Sequence, residues 1–203
     1  MKILIIGSGT IGSALSRYFS AENDVITAGR NNGDLRVDIR HPESIQQLFR
    51  ETGNVDAIIC AAGEARWAHL SELTEEDFAH AIQSKLMGQI NLTRIGCGYL
   101  NKGGSVTLTT GILADFPVPG TSIAAMVNGA IHSFIRAAAS EMPQGCRLNA
   151  VASGLVEPAA EKYGKYFPGH QPVPMSEVLE AYKHCLIDNV NGEVIRIYKF
   201  MNT

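Results

Sequence analysis

The residues best suited to chemistry stand near the start of the chain. Gly7-Ser8-Gly9-Thr10-Ile11-Gly12 spells Gly-x-Gly-x-x-Gly, directly after an apolar run at 2–6 and at the head of a segment with helical spacing through Ile11, Leu15, Tyr18 and Phe19. A strand, a glycine loop and a helix in that order predict a cradle for a pyrophosphate. Gly7 permits the tight turn, Gly9 lets backbone N–H groups approach the anion, and Gly12 lets the helix pack close to the strand. The helix start then faces the phosphates with its positive end. A second chemical signal closes the next apolar run, at 25–29. A dinucleotide site that reads a ribose 2′-hydroxyl carries an acid there. This chain reads Ala28-Gly29-Arg30-Asn31-Asn32-Gly33-Asp34, with Arg30 at that point. A guanidinium suits a 2′-phosphate, which an acid would repel, so the expected cofactor is NADP(H) in preference to NAD(H).

These groups need a scaffold, and the pattern supplies one. Short β-rich runs at 2–6, 25–29, 55–60, 105–110, 146–152 and 192–198 alternate with helical patterns at 11–21, 42–52, 74–100, 121–141 and 176–187. Pro42 begins one helix, and Thr74, followed by acids, caps another. Alternation with short connections predicts an α/β fold: a Rossmann-like, doubly wound parallel sheet in three α/β/α layers, forming a single domain over 1–203. The one long connection, 153–175, is rich in Gly and Pro and holds Lys162, Tyr163, Lys165, Tyr166 and Phe167. Long loops at a sheet end carry ligands more often than not, so a substrate lid is expected there; a plain surface connection is the alternative.

Composition narrows the partners. The 203 residues are 45% apolar and 18% charged, with a net charge of −3 and no long basic run, which gives no electrostatic case for nucleic acid or an anionic membrane. No apolar stretch is long enough to span a bilayer. The first residues read as a strand and glycine loop in place of a signal peptide, and a cytoplasmic protein is expected. Cys60, Cys97, Cys146 and Cys185 are far apart and form no Cys-x-x-Cys pair, and the six histidines show no ligand spacing, so free thiols and no metal site are expected.

Over nearly its whole length the chain resembles the short-chain dehydrogenase/reductase family. The resemblance is carried by the glycine loop, Asp38-Ile39-Arg40, Cys60-Ala61-Ala62-Gly63, the helix around Lys85-Leu86-Met87-Gly88, the strand ending at Thr109-Thr110-Gly111, and Ser153-Gly154-Leu155-Val156. It implies Asp38 beside the adenine, Ala61, Ala62 and Gly63 on the ribose side, and Val156 near the carboxamide. It implies an oxidoreductase that passes a hydride between a nicotinamide and a small carbonyl or alcohol, built as a homo-dimer or homo-tetramer. Two helices with small residues (Gly88, Gly96, Gly98, and Ala137 to Ala139) are the expected contact, with packing of these residues on the sheet as the alternative.

The departures concern the proton. The family's phosphate loop is longer than this one. Its active-site Tyr-x-x-x-Lys is here Ala124 and Asn128, its serine falls at Gly111 or, shifted by one, at Thr110, with Thr109 a weaker choice, and its central-helix asparagine is Lys85. A positioned acid or base contributes roughly 10²–10⁴ in rate. Lys85, its pKa lowered in an apolar setting, is the expected replacement for proton handling, and Thr110 the group that polarises the substrate oxygen. Tyr163 and Tyr166 could reach in from the lid. Two other readings stay open: a non-catalytic dinucleotide sensor or regulatory protein, and an isomerase or lyase with a purely structural cofactor.

Overall fold

The computed structural model describes residues 1–201. Seven strands, β1 (Lys2–Ile6), β2 (Asp24–Gly29), β3 (Leu35–Arg36), β4 (Val55–Cys60), β5 (Leu100–Gly111), β6 (Arg147–Ser153) and β7 (Val194–Ile197), form one sheet in the order β3-β2-β1-β4-β5-β6-β7. Every pairing is parallel; Ile5 of β1 sits between Thr27 of β2 and Ile59 of β4. Strands of this kind are apolar on both faces because helices cover both. Among the described residues the helices are α1 (Thr10–Phe19), α2 (Pro42–Thr52), α3 (Glu75–Ala81), α4 (Gly88–Gly96), α5 (Ser122–Ala138), α6 (Glu157–Tyr163) and α7 (Met175–Ile187), and α1, α2, α4, α5 and α7 cover the sheet.

The period-2 alternation of β1 sorts its side chains between two cores. Ile3 and Ile5 pack with Leu15 and Phe19 of α1 and Val178 and Tyr182 of α7. Leu4 and Ile6 pack with Ile45 and Phe49 of α2, Leu92 of α4 and Ile131 of α5. Each such fully buried aliphatic side chain contributes about 1.5–3 kcal/mol, so the two cores fix the three-layer arrangement. The expected doubly wound α/β fold is the one observed.

Several elements differ from the sequence pattern. β3, two residues long, offers no periodicity to read. The helix expected at 74–100 is α3, a π-helical turn over Ile82–Met87, then α4, and a tight turn over Cys97–Tyr99 leads into β5 at Leu100. Thr74 does cap α3: its hydroxyl accepts from the Asp77 amide, and the Asp77 carboxylate takes the Thr74 amide at 3.0 Å. Gly88 and Gly96, read as oligomer contacts, instead let this helix settle on its own core. A Cβ on Gly88 would stand 2.8 Å from Ile39, and one on Gly96 2.7 Å from Ile58 and 2.8 Å from Phe49. Ala139 is a core residue as well. The connection at 153–175 is folded: α6, a tight turn over Gly164–Tyr166, a buried Phe167, and a parallel bridge between Val156 and Val173. The four cysteines are free, three of them buried and Cys97 half-buried. Among the described residues no helix is long and apolar enough to cross a membrane.

Candidate functional site

The strand order reverses between β1 and β4, which opens a crevice beyond their carboxyl ends, where such sheets bind ligands. β1 runs straight into the glycine loop. Gly7, at φ 108°, donates its amide to the Ala28 carbonyl at 2.8 Å, and a Cβ there would meet the Ala61 carbonyl at 2.6 Å. Gly12 lies so close under the loop that a Cβ would come within 1.9 Å of the Gly7 carbonyl oxygen. Gly9 is different: nothing stands within 4 Å of the Cβ position, so the space above it faces the crevice. Gly9 is also the N-cap of α1, and among the described residues no side chain caps it and no acid occupies the first turn. The loop residues Ser8, Thr10 and Ile11 surround this uncapped end. Helix N–H groups left without a partner beside an open glycine fit the pyrophosphate of a dinucleotide.

From the loop a cleft of about 180 Å³ runs toward β2 and β3, lined by Gly7, Ser8, Arg30, Asn31, Asp38, Arg40, Gly63 and Glu64 among others. The turn that presents Arg30 is closed by Asp34, whose carboxylate accepts from the Thr27 amide at 2.9 Å and hydroxyl at 2.7 Å. The Arg30 guanidinium donates to Glu64 at 2.8 Å. Asp38 lines the same cleft with both carboxylate oxygens taken by Arg40, whose hydrogen bonds hold its pKa down at about 2. Glu64 has no counterpart in the sequence reading, and Arg40 enters it only as the last residue of the Asp38-Ile39-Arg40 match. The only signal for Glu64 was a charged residue adjoining a recognised motif. Ala61 donates its amide to the Ile6 carbonyl at 2.7 Å, which joins the tip of β4 to that of β1. Gly63, at φ 127°, passes so close to α4's preceding π turn that a Cβ would be 2.8 Å from the Lys85 Cα.

On the other side of the loop lies an apolar inner cleft of about 170 Å³, walled by Ile11, Trp67, Gly111, Ile112, Ser153, Val156, Tyr163 and Phe167 among others. An outer pocket of about 640 Å³ adjoins it and includes Trp67, His69, Glu72, Tyr163 and Tyr166. Trp67 and Tyr163 belong to both walls, with ring centroids 5.5 Å apart. The flap at 153–175 thus supplies one side of the inner cleft and of the outer pocket.

Of the two residues expected to carry the proton chemistry, Lys85 is half-buried on the π turn and Thr110 points away from the inner cleft. Thr110 is buried, and its hydroxyl oxygen is 2.8 Å from His132 Nε2 on α5. That follows from strand alternation: Thr110 shares the face of Leu108, toward α5, so its hydroxyl is turned from the cleft that Gly111 lines. Thr109 takes the opposite face, donating to the Cys60 carbonyl and lying 2.6 Å from the Tyr182 hydroxyl. Lys85 donates to the Thr109 carbonyl at 3.1 Å, and desolvation lowers its pKa to about 8. Gln89 donates to the same carbonyl. The π turn that holds Lys85 is of a type found often at functional sites. Asn128 is buried beside Gly111, its Nδ2 3.8 Å from the position of a Cβ there, and its Oδ1 has no hydrogen-bond partner among the described residues. Ala124 packs with Ile112 and Leu113.

Comparison with known proteins agrees with this architecture. A family model described as enoyl-(acyl carrier protein) reductase matches residues 18–176, all of them beyond the glycine loop. A hydroxynaphthalene reductase of Aspergillus fumigatus is 28% identical over 161 residues, which are 74% of this chain and 59% of that protein. The chain spans about half the length of the curated relatives it matches. The crystal structure of protein lin1944 from Listeria innocua is 44% identical with a TM-score of 0.95, covering 98% of this chain and 100% of that one. A small-chain dehydrogenase solved in complex with NADPH is 26% identical with a TM-score of 0.85, over 97% of this chain and 96% of that one.

Proposed function

The chain belongs to the short-chain dehydrogenase/reductase family, and from that premise we propose that it is an NADP(H)-dependent oxidoreductase acting on a small carbonyl compound or its alcohol. The observation that carries the reading is the uncapped start of α1 beside the open Gly9, with Arg30 at the rim of the adjoining cleft. The NADPH bound to one structural relative supports it. Backbone groups of Gly7, Ser8, Gly9, Thr10, Ile11 and Gly12 hold the pyrophosphate and Arg30 the 2′-phosphate. Asp38 borders the adenine, Ala61, Ala62 and Gly63 the ribose, and Val156 the carboxamide. When bound, the nicotinamide supplies or accepts the hydride.

The proton is the chain's own task. The hydroxyl groups on the inner cleft wall are those of Ser153 and Tyr163. We assign the proton exchange to the Tyr163 phenol, which borders both the inner cleft and the pocket through which substrate enters, and the orientation of the substrate oxygen to Ser153. Lys85 places a positive charge at the carboxyl edge of β5. The outer pocket, flanked by Trp67, Tyr163 and Tyr166, fits a flat unsaturated ring, the kind of compound that the name of the hydroxynaphthalene reductase describes. The flap closes over it as a lid.

Titration of NADPH and NADH against the protein, read by nicotinamide fluorescence, tests the cofactor assignment. Arg30→Ala is expected to weaken NADPH roughly 10- to 100-fold and leave NADH unchanged, the loss of hydrogen bonds to a charged group. Tyr163→Phe is expected to lower kcat about 10²- to 10⁴-fold on an aromatic carbonyl panel. Packing of Ala124, where the resemblance has a tyrosine, favours the second reading, a non-catalytic dinucleotide sensor. Tight NADPH binding with no oxidation on any member of the panel would select it.

A further inference from the structure

The two arginines that line the cleft toward β2 and β3 are each matched by a carboxylate of the same wall: Arg40 by Asp38 and Arg30 by Glu64. The Arg40 pair is local, two residues apart and bidentate. The Arg30 pair is built from distant elements. Glu64 follows Gly63 at the end of the loop after β4, and its backbone amide is fixed by donation to the Ser84 hydroxyl at 3.1 Å. Its side chain then spans the mouth of the cleft. Oε1 accepts from Arg30 at 2.8 Å, at the end of β2, and Oε2 lies 3.2 Å from His80 Nε2 on α3. The carboxylate thus occupies, at the Arg30 guanidinium, the place that a 2′-phosphate would take.

We propose that Glu64 is a specificity-determining residue: it holds Arg30 when the cleft carries no 2′-phosphate, must yield the guanidinium to one, and so limits the preference for the phosphorylated nucleotide. This rests on the NADP(H) reading above. The side chains of Arg30 and Glu64 are 46% and 53% exposed, so the pair is weak and a phosphate can displace it. Displacement does not remove the carboxylate. Its backbone stays pinned on Ser84 and His80 retains the side chain, so a negative charge remains beside the incoming dianion and repels it. A nucleotide without the 2′-phosphate leaves the Arg30–Glu64 pair intact and meets no such repulsion.

The test is calorimetric binding of adenosine 2′,5′-bisphosphate and of 5′-AMP to the whole protein, as wild type, Glu64→Gln and Arg30→Ala. Glu64→Gln keeps the side-chain shape at an exposed position; an unchanged urea midpoint checks that it folds. The expected result is a gain of roughly 3- to 10-fold in affinity for the bisphosphate with 5′-AMP unaltered, the size of an exposed charge interaction plus the relieved repulsion. A Glu64→Gln protein that binds both nucleotides as the wild type does, or that loses affinity for both, overturns the proposal and leaves Glu64 a bridge between β2 and α3. The NADP(H) reading fails separately, if the wild type does not distinguish the two nucleotides and Arg30→Ala changes neither. In that event a preference that appears in Glu64→Gln still upholds the masking of Arg30, and its absence there refutes both.

Discussion

Lys85 keeps an ammonium among buried groups, with the Thr109 carbonyl as its hydrogen-bond acceptor at 3.1 Å, and its pKa is lowered from 10.5 to about 8. A cation whose folded pKa lies below its unfolded value binds fewer protons in the native state between those limits. Stability therefore rises with pH from about 8 to 10.5, and below that window the buried charge is a cost. Lys85→Met is expected to be more stable than wild type at pH 7, and the difference should shrink as pH rises through the window. The Cys60 thiol, pushed up to about 11 by burial, works in the opposite direction, but it is present in both proteins and drops out of the comparison. Urea midpoints of the two proteins at pH 7 and pH 10 measure this; an identical difference at both values would mean that the ammonium is solvated. Residue by residue, the site was unevenly legible. The place of Arg30, directly after β2, could be read because it is defined locally. Thr110 and Gly111 could not be told apart in the sequence, because the choice between them depends on which strand face meets the cleft.

The loop joining β1 to α1 shows how one element assigns different work to three glycines. A methyl group on Gly12 would stand 1.9 Å from a backbone oxygen that belongs to the same turn, with no flexible side chain to yield. Gly12→Ala is expected to destabilise the protein by about 1–3 kcal/mol. Gly9 has an ordinary φ of −74° and open space before it, so Gly9→Ala should lose less stability than Gly12→Ala, about the few tenths to 1 kcal/mol by which an N-cap prefers Gly to Ala. Its methyl group would instead occupy the phosphate's approach, and NADPH affinity is expected to fall roughly 10-fold or more as amide contacts to the anion are lost. Thermal unfolding and nucleotide titration of the two variants separate the roles. A Gly9→Ala protein with unaltered nucleotide affinity would dismiss the cradle. The three glycines were legible because their spacing reflects steric needs within six residues. The π turn was not, since Ile82–Met87 continues the apolar spacing of the helices on either side.

At the scale of the molecule, the sheet order places the crevice, and the flap and the Trp67 segment wall it. The family resemblance implies a homo-dimer or homo-tetramer. With Gly88 and Gly96 facing inward, the expected contact passes to Ile82, Met87 and Met126, apolar side chains that are 38%, 39% and 39% exposed on the π turn and α5. Light scattering is expected to give a dimer or tetramer, and Met87→Glu combined with Met126→Glu a smaller species. A monomeric wild type would refute the assembly.

The sequence alone determined the alternation of strands and helices, the glycine loop and the basic residue after β2, because hydrophobic period, turn sterics and helix capping are written in a few contiguous residues. Only the tertiary structure decided the partners of the side chains. It brought Glu64 to Arg30, Thr110 to His132, and Trp67 to Tyr163 across long stretches of chain. Such pairings depend on how whole elements dock against one another, and no local pattern encodes that distance.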